Sequence, residues 1–583
     1  MKGIISSLSK FLLITVFFLT GSTTYSQTAR LQVIHNAADP AAASVDIYLN
    51  GSLLLDNFAF RAATPFIDAP AGVLLNIGVA PGNSASVNDT LKNFKVTLTA
   101  GDKYIAIANG VLNPANFAAN PNNRATAFTL FIKTLARESA ENANQVEFFV
   151  LHGSTDAPAV DISARNVATL VPGASYGDIT SYIGVPAERY LLDIRPAGNT
   201  EVLVATFEAQ LSALTGGAAA VFASGFLNPA NNQNGAAFGI YAALPNGTVV
   251  PFSALTNARL QVIHNAADPA AASVDIYLNG SLLLDNFAFR TATPFIDAPG
   301  NTELNIGVAG GNSNSVADTL KNFNVKLLPG GVYVAIANGV LNPSAFAPNP
   351  ESRSTAFTLF IQGLGQENAK LNSEVDFYVL HGSTDAPAVD IIARGVGTLV
   401  NDAAYGDLTP YLSVPAANYT LDITPAQNNS TIVASFTAPL SGLAGGAATV
   451  FASGFFTPAN NQNGAGFGVF AALPNGTVVE FSPVTSIERD EFSFAPAKFE
   501  LNANYPNPFN PSTVISFSIP QKEFVTLKVF NVIGQEVATL VNDELSSGNY
   551  KFTFDARDLT SGVYFYKLTA GSFVETRKMN LLK

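Results

Sequence analysis

Hydrophobic and polar residues alternate in short runs along most of the chain. Leu31, Val33 and His35 alternate with Gln32, Ile34 and Asn36, and Val45-Asp46-Ile47-Tyr48-Leu49 is rich in β-formers and stops at Asn50-Gly51. Asn-Gly followed by Ser-Leu-Leu-Leu predicts a two-residue hairpin, because both turn residues accept positive φ. Residues 103–108, 127–132, 190–194 and 218–223 read as further strands. Gly, Pro and Asn punctuate them at a spacing of roughly ten residues, which predicts small antiparallel sandwiches. No long stretch carries the 3.6-residue period or a ladder of opposite charges at helical spacing, so no helix of consequence is expected.

The pattern repeats on a larger scale. Residues 29–61 recur unchanged at 258–290, 229 positions further on, and 150–162 recur at the same offset as 379–391. Each of these large units is itself double: His35 opens H-N-A-A-D-P, and His152, 117 residues later, opens H-G-S-T-D-A-P; His264 and His381 keep that spacing. The expected organisation is four β modules ordered A-B-A-B, at 28–137, 146–256, 257–364 and 373–483. At about 110 residues each is long enough for one core. The period is too long for a solenoid, so the modules read as beads in a row, a semi-rigid rod with polar linkers at 137–145 and 365–374. The joint at 255–257 is short and should restrict the angle between the two large units.

Composition narrows the function classes. The chain has 583 residues, 48% hydrophobic and 13% charged, with no Cys and a net charge of −13. Disulfide scaffolds, zinc–thiolate sites and cysteine catalysis are excluded, and an acidic chain without a basic stripe lacks the cations that nucleic-acid binding needs. Residues 1–26 read as a secretory signal peptide: Lys2 and Lys10, an apolar run over 11–19, then small residues around a cut after Ser26. That run is too short to span a bilayer as a helix, and no later stretch is apolar enough to do so.

Past a linker at 484–498 the sequence changes character. Tyr505-Pro506-Asn507-Pro508-Phe509-Asn510-Pro511 places three prolines in one short segment, which cannot sit inside a sheet. Alternating runs follow at 515–519, 525–529 and 550–554, with a turn ending in Gly534, a strand led by Gly562, and a terminus containing Lys578. This reads as a compact sandwich of about seven short strands. The motifs YPNPFNPST, N-x-x-G-Q-x-V, L-x-S-G-V-Y-F-Y and K-M-x-L resemble the C-terminal sorting domain of type IX secretion cargo, over 499–583. The resemblance implies export across the outer membrane of a Gram-negative bacterium, contact with the type IX secretion machinery, and a secreted or outer-surface product. The four modules resemble a second family, the domain of unknown function 4397. The D-A-P-A-V-D turns after His152 and His381 match it, and the A modules depart from it with a longer turn. That resemblance implies no activity.

Four histidines carry the only repeated chemistry. His35, His152, His264 and His381 are each followed four residues on by Asp39, Asp156, Asp268 and Asp385, and then by Asp46, Asp161, Asp275 and Asp390. A histidine with two carboxylates is a metal-ligand or general-base set if the three side chains converge. Strand alternation lets them diverge instead, and an Asp ahead of Pro or Ala caps its own loop. A fold-defining His–Asp turn is therefore the favoured reading, the four His–Asp pairs remaining weak metal candidates. No catalytic residue and no cofactor is assigned. The Asn-rich loops 228–235 and 458–464, beside Phe226, Phe238 and Tyr241, offer amides and rings to a sugar, against the simpler reading of a polar hairpin tip. G-x-S-x-G, H-E-x-x-H and P-loop signatures are absent. The expected class is all-β, tandem immunoglobulin-like sandwiches with a small C-terminal sandwich. The expected role is adhesion or surface scaffolding, with a polysaccharide or other surface ligand as partner. The alternatives are a surface hydrolase using the His–Asp turns and an outer-membrane β-barrel.

Overall fold

The computed structural model describes residues 27–484, 487–489 and 498–582. The signal-peptide reading and most of the 484–498 linker lie outside these residues. Among the described residues the fold is all-β. The only helical elements are three-residue 3-10 turns, such as Pro40–Ala42 and Pro229–Asn231. Every sheet described is open, with four or five strands; none is a closed barrel.

The chain divides into two compact units, the first covering residues up to 258 with 299–302 and 328–330, the second covering the remainder. In the first unit, the A half has an outer sheet ordered Ser52–Ala59, Ser44–Leu49, Leu74–Pro81, Lys92–Thr97. Its inner sheet is ordered Ile67–Pro70, Thr28–His35, Lys103–Asn109, Thr129–Thr134. The B half repeats this, with an inner sheet built on Gln145–Leu151 and Ala218–Ser224 and an outer sheet built on Val160–Ala164 and Arg189–Pro196. Two features differ from the sequence expectation. Each inner sheet carries a parallel pair, Thr28–His35 with Lys103–Asn109 and Gln145–Leu151 with Ala218–Ser224, so the sandwiches are mixed rather than purely antiparallel.

The second difference is that A and B are not beads. Each half has its own core between its two sheets, around Leu31, Val45, Phe58 and Ala106 in A and around Phe148, Val171, Ile194 and Phe207 in B. A third core then joins the halves, formed by Ile34, Ile105 and Ile107 from A with Phe149, Leu151, Ala220 and Phe222 from B. The inner strands are thus buried on both faces. That is why they read as near-continuous apolar runs, 104–108 and 148–151 among them, rather than as clean alternation. The segment 137–145 between the halves is likewise anchored. Glu138 pairs with Arg30 and Lys103, and Arg137 pairs with Glu147 while its guanidinium lies 4.5 Å from the Tyr182 ring centroid. The second unit repeats the arrangement, its joining core containing Ile263, Val334, Ile336, Tyr378, Leu380 and Phe451.

The C-terminal sandwich belongs to the second unit. One sheet has the order Ile487–Arg489, Gly548–Asp555, Ser512–Ile519, Glu500–Leu501 and the other Glu536–Leu545, Glu523–Asn531, Gly562–Ala570, Phe573–Leu581. Ile515, Phe517, Val525, Leu527, Phe552, Tyr566 and Leu568 alternate inward to fill the space between them.

Candidate functional site

The sequence singles out the four His–Asp turns, and the structure places each beside a loop of its own module. His35 ends the strand Thr28–His35 and is fully buried. Its Nε2–H donates to the Ala42 carbonyl at 2.7 Å, and its Nδ1 lies 3.4 Å from the Ala37 N–H. Phe58 stacks on the ring and Phe60 meets it edge-on, each with centroids 6.1 Å away. Asp39 caps the 3-10 turn Pro40–Ala42: one oxygen accepts the Ala41 N–H at 2.9 Å, the other the Leu112 N–H at 2.8 Å. The second carboxylate, Asp46, turns to a different job, accepting from the Asn57 N–H and from Ser84. His264, Asp268 and Asp275 repeat these contacts through Ala271, Leu341, Asn286 and Ser313.

The B turns follow the same plan with different partners. His152 Nε2 donates to the Pro158 carbonyl at 3.0 Å, and His381 Nε2 to the Pro387 carbonyl at 3.1 Å. Asp156 accepts from the Leu227 and Asn228 N–H groups and from Asn232 Nδ2, all at 2.8 Å. Asp385 does so from Phe456, Thr457 and Asn461. Asp161 accepts from the Gly173 and Gly198 N–H groups, and Asp390 from the Asp402 N–H. The histidine and its carboxylates therefore never converge. Among the described residues no three His, Cys, Asp or Glu side chains are grouped to hold a metal. Ser154 Oγ donates to the Gly225 carbonyl, so the neighbouring His152 and Ser154 form no nucleophile pair.

Burial decides the charge of the rings. It takes His35 and His264 down to about 4 and lowers His152 and His381, the carbonyl contacts opposing this only in part. All four are neutral at pH 7. Replacing Asp156 with alanine strands two backbone N–H groups and an amide. The expected cost is about 1.5–3 kcal/mol of stability, as for hydrogen bonds to a charged group. Urea unfolding of the variant checks it, and a change within ±0.5 kcal/mol contradicts the capping role.

The Asn-rich loop 228–235 directs one of its amides and its neighbouring rings into the protein. Asn232 is fully buried, and its Oδ1 accepts the Ala118 N–H at 3.0 Å across the A–B seam. Phe226 is sealed against Phe117, centroids 5.6 Å apart. Phe238 packs against the B core. Tyr241 lies under the Arg61 guanidinium, 4.3 Å from ring centroid to Cζ.

What sequence reading missed is this polar seam. Among the described residues Arg61 has no carboxylate partner; it donates to Ser224 Oγ at 3.0 Å and to the Ala237 carbonyl at 2.7 Å. Asn36 donates to the Ala223 carbonyl, Gln32 to that of Leu244, and Asn109 to that of Gly153. Gly153 stands where a Cβ would lie 2.4 Å from both Ala223 O and Asn36 Nδ2, so the close approach of the halves requires glycine. Arg290, Asn265, Gln261, Asn338 and Gly382 rebuild the seam in the second unit. The available signal was the exact repetition of polar residues inside apolar strands, Gln32 and Gln261 above all.

The C-terminal motif is also structural in part. Phe509 is buried against Phe554, its N–H donates to the Asn580 carbonyl, and Asn507 Oδ1 accepts the Asn580 N–H. Pro506 accepts from Thr513 Oγ1. The peptide bonds preceding Pro506, Pro508 and Pro511 are cis. Asn510 and Pro511 lead into the strand Ser512–Ile519. Tyr505 projects, 81% exposed. Gly534 holds φ +81° in its turn, Gly562 opens the strand Gly562–Ala570, and Lys578 lies on the final strand opposite Phe565.

Residues 503–581 match the family described as the secretion system C-terminal sorting domain. Residues 26–129, 146–233 and 375–463 match the domain of unknown function 4397. Residues 257–364 fall outside these matches, although 258–290 repeat 29–61. Neither is an enzyme family. No curated protein matches the chain. Among solved structures, PorZ of Porphyromonas gingivalis, an essential bacterial surface component of the type-IX secretion system, is 9% identical over 91% of this chain and 72% of that one. Its TM-score is 0.14, too low to carry an argument.

Proposed function

Since the chain carries domain-of-unknown-function 4397 modules and ends in a secretion-system sorting domain, which makes it a secreted or cell-surface protein of a Gram-negative bacterium, we propose that it is an adhesin or surface scaffold presenting two copies of one fused A–B unit. The duplication supports this reading: 229 residues are copied with their seam, their caps and their joining core intact, while the only repeated chemistry is spent on holding loops. Two copies of a weak binding surface on one chain raise avidity by roughly 10²–10⁴ without a new contact.

The test displays the full protein on beads and screens it against polysaccharides and matrix proteins. A variant lacking residues 29–257 joins Thr28 directly to Ala258, keeping one complete repeat. Retention by the full protein at least tenfold above the one-copy variant is the expected result. Equal retention by both, or none by either, removes the multivalent adhesion role.

A further inference from the structure

Within the first B half, a cavity of about 300 Å³ lies between the two sheets. Its walls are almost wholly aliphatic and aromatic, with Phe148, Val171, Ile194, Val221 and Ala242 among them. The second B half has nearly the same lining at the same place, yet its cavity is only about 130 Å³. One ring differs in its seating. Phe481 is 2% exposed and belongs to the core of the second B half, whereas its counterpart Phe252 is half-buried and packs only at the margin of the first. Phe252 sits where the chain leaves Val249–Pro251, on the inner sheet, for Ser253–Leu255, on the outer one. It therefore stands at the open edge of the sandwich.

The cavity wall carries few polar groups. His152 lines it, and because Nε2–H already donates to Pro158, Nδ1 is the acceptor nitrogen. That Nδ1 is buried without a hydrogen-bond partner, unlike Nδ1 of His35, which faces the Ala37 N–H. A void with apolar walls forfeits dispersion contacts and takes up apolar guests rather than water. A buried acceptor without a donor is costly in the same way. At the ~30 Å³ that one water molecule occupies in the liquid, this space accommodates about ten non-hydrogen atoms.

We propose that the first B half binds a medium-chain aliphatic alcohol, or the hydroxylated end of a longer hydrocarbon, with the hydroxyl donating to His152 Nδ1 and Phe252 at the entrance. The proposal is independent of the adhesion reading. The experiment titrates the full protein with 1-octanol by calorimetry, alongside its isomer heptyl methyl ether, which cannot donate. Saturable uptake of one equivalent of 1-octanol, with the ether at least tenfold weaker, is expected. Ala242→Leu narrows the cavity and should weaken uptake at least tenfold, while Phe481→Ala should open a second site of comparable affinity. Absence of saturable uptake, or uptake unchanged by Ala242→Leu in a folded protein, overturns the site. Equal affinity for alcohol and ether overturns the role of His152. Should Ala242→Leu fail to fold, the stoichiometry of Phe481→Ala decides, and one equivalent rather than two counts against the cavity.

Discussion

Replacing Phe222 with alanine is expected to loosen both halves of the first unit at once, at a cost of about 3–5 kcal/mol. Phe222 is fully buried, yet it does not face the core of its own sandwich. On the strand Ala218–Ser224, Val221 and Ala223 point into the B core, whereas Phe222 and Ala220 point the other way, onto Ile34, Ile105 and Ile107 of the A half. Its ring also stacks on Tyr241, 6.0 Å between centroids, which in turn supports Arg61. Truncation therefore leaves a cavity walled by residues from both halves. The measurement is hydrogen exchange read peptide by peptide. Protection should fall in Thr28–His35 and Lys103–Asn109, more than a hundred residues from the substitution, as well as around Ala218–Ser224. Val221→Ala is the contrast, since it opens only the B core. If Phe222→Ala leaves the A strands as protected as before, the halves are separate beads after all. Phe451 occupies the same position in the second unit and should behave alike.

The strands themselves were plain in the sequence, because most of them alternate or end at Asn-Gly, and the hairpin after Asn50-Gly51 forms as the turn chemistry demands. The joining core was not, although its trace is visible in retrospect. Ile34 falls on the polar phase of the first strand, and 148–151 is apolar at every position; a strand covered on one face has no use for either. The parallel pairs were hidden for a different reason. Thr28–His35 and Lys103–Asn109 are joined through a whole intervening sheet, and no local signal links strands so far apart. The site was half legible. Spacing revealed that His and Asp recur as a unit, and the chemistry of Asp before Pro favoured a cap. The Leu112 and Leu227 N–H groups that these carboxylates hold lie more than seventy residues away, so only the fold could supply them. In the Asn-rich loop, Asn232 satisfies the seam, and composition does not distinguish an amide used this way from one that would meet a sugar.

Lowering the pH from about 6.5 to 4 is expected to remove a large part of the stability, ahead of the loss that follows when the carboxylates held low in the fold protonate. The sign follows from the histidines. In the unfolded chain each has a pKa near 6.5; in the fold burial holds His35 and His264 at about 4, and His152 and His381 below their ordinary value. As pH falls through 6.5 the unfolded state takes up protons that the folded state refuses, so the stabilisation is complete above 6.5 and is lost towards 4. A shift of this size corresponds to on the order of 3 kcal/mol for each of His35 and His264. A second, separate loss follows at lower pH. Burial raises Asp193, Asp275, Asp407 and Asp422, but hydrogen bonds, joined by an arginine at all but Asp275, outweigh it and hold them below the usual carboxylate range, and their contribution disappears as they protonate. Urea unfolding of the full protein at pH 7, 5.5 and 4 separates the stages, since only the first is histidine-dependent. His35→Gln with His264→Gln retains a neutral donor for the Ala42 and Ala271 carbonyls but cannot titrate, so it should flatten the decline between 6.5 and 4 while leaving the lower stage in place. A decline of unchanged slope in that variant would show that the buried rings are not its source. The same burial bears on the hydrolase alternative. A general base must accept a proton from a substrate at working pH, and His35 and His264, fully buried with Nε2 committed to a backbone carbonyl and Nδ1 facing a backbone N–H, are placed to refuse it.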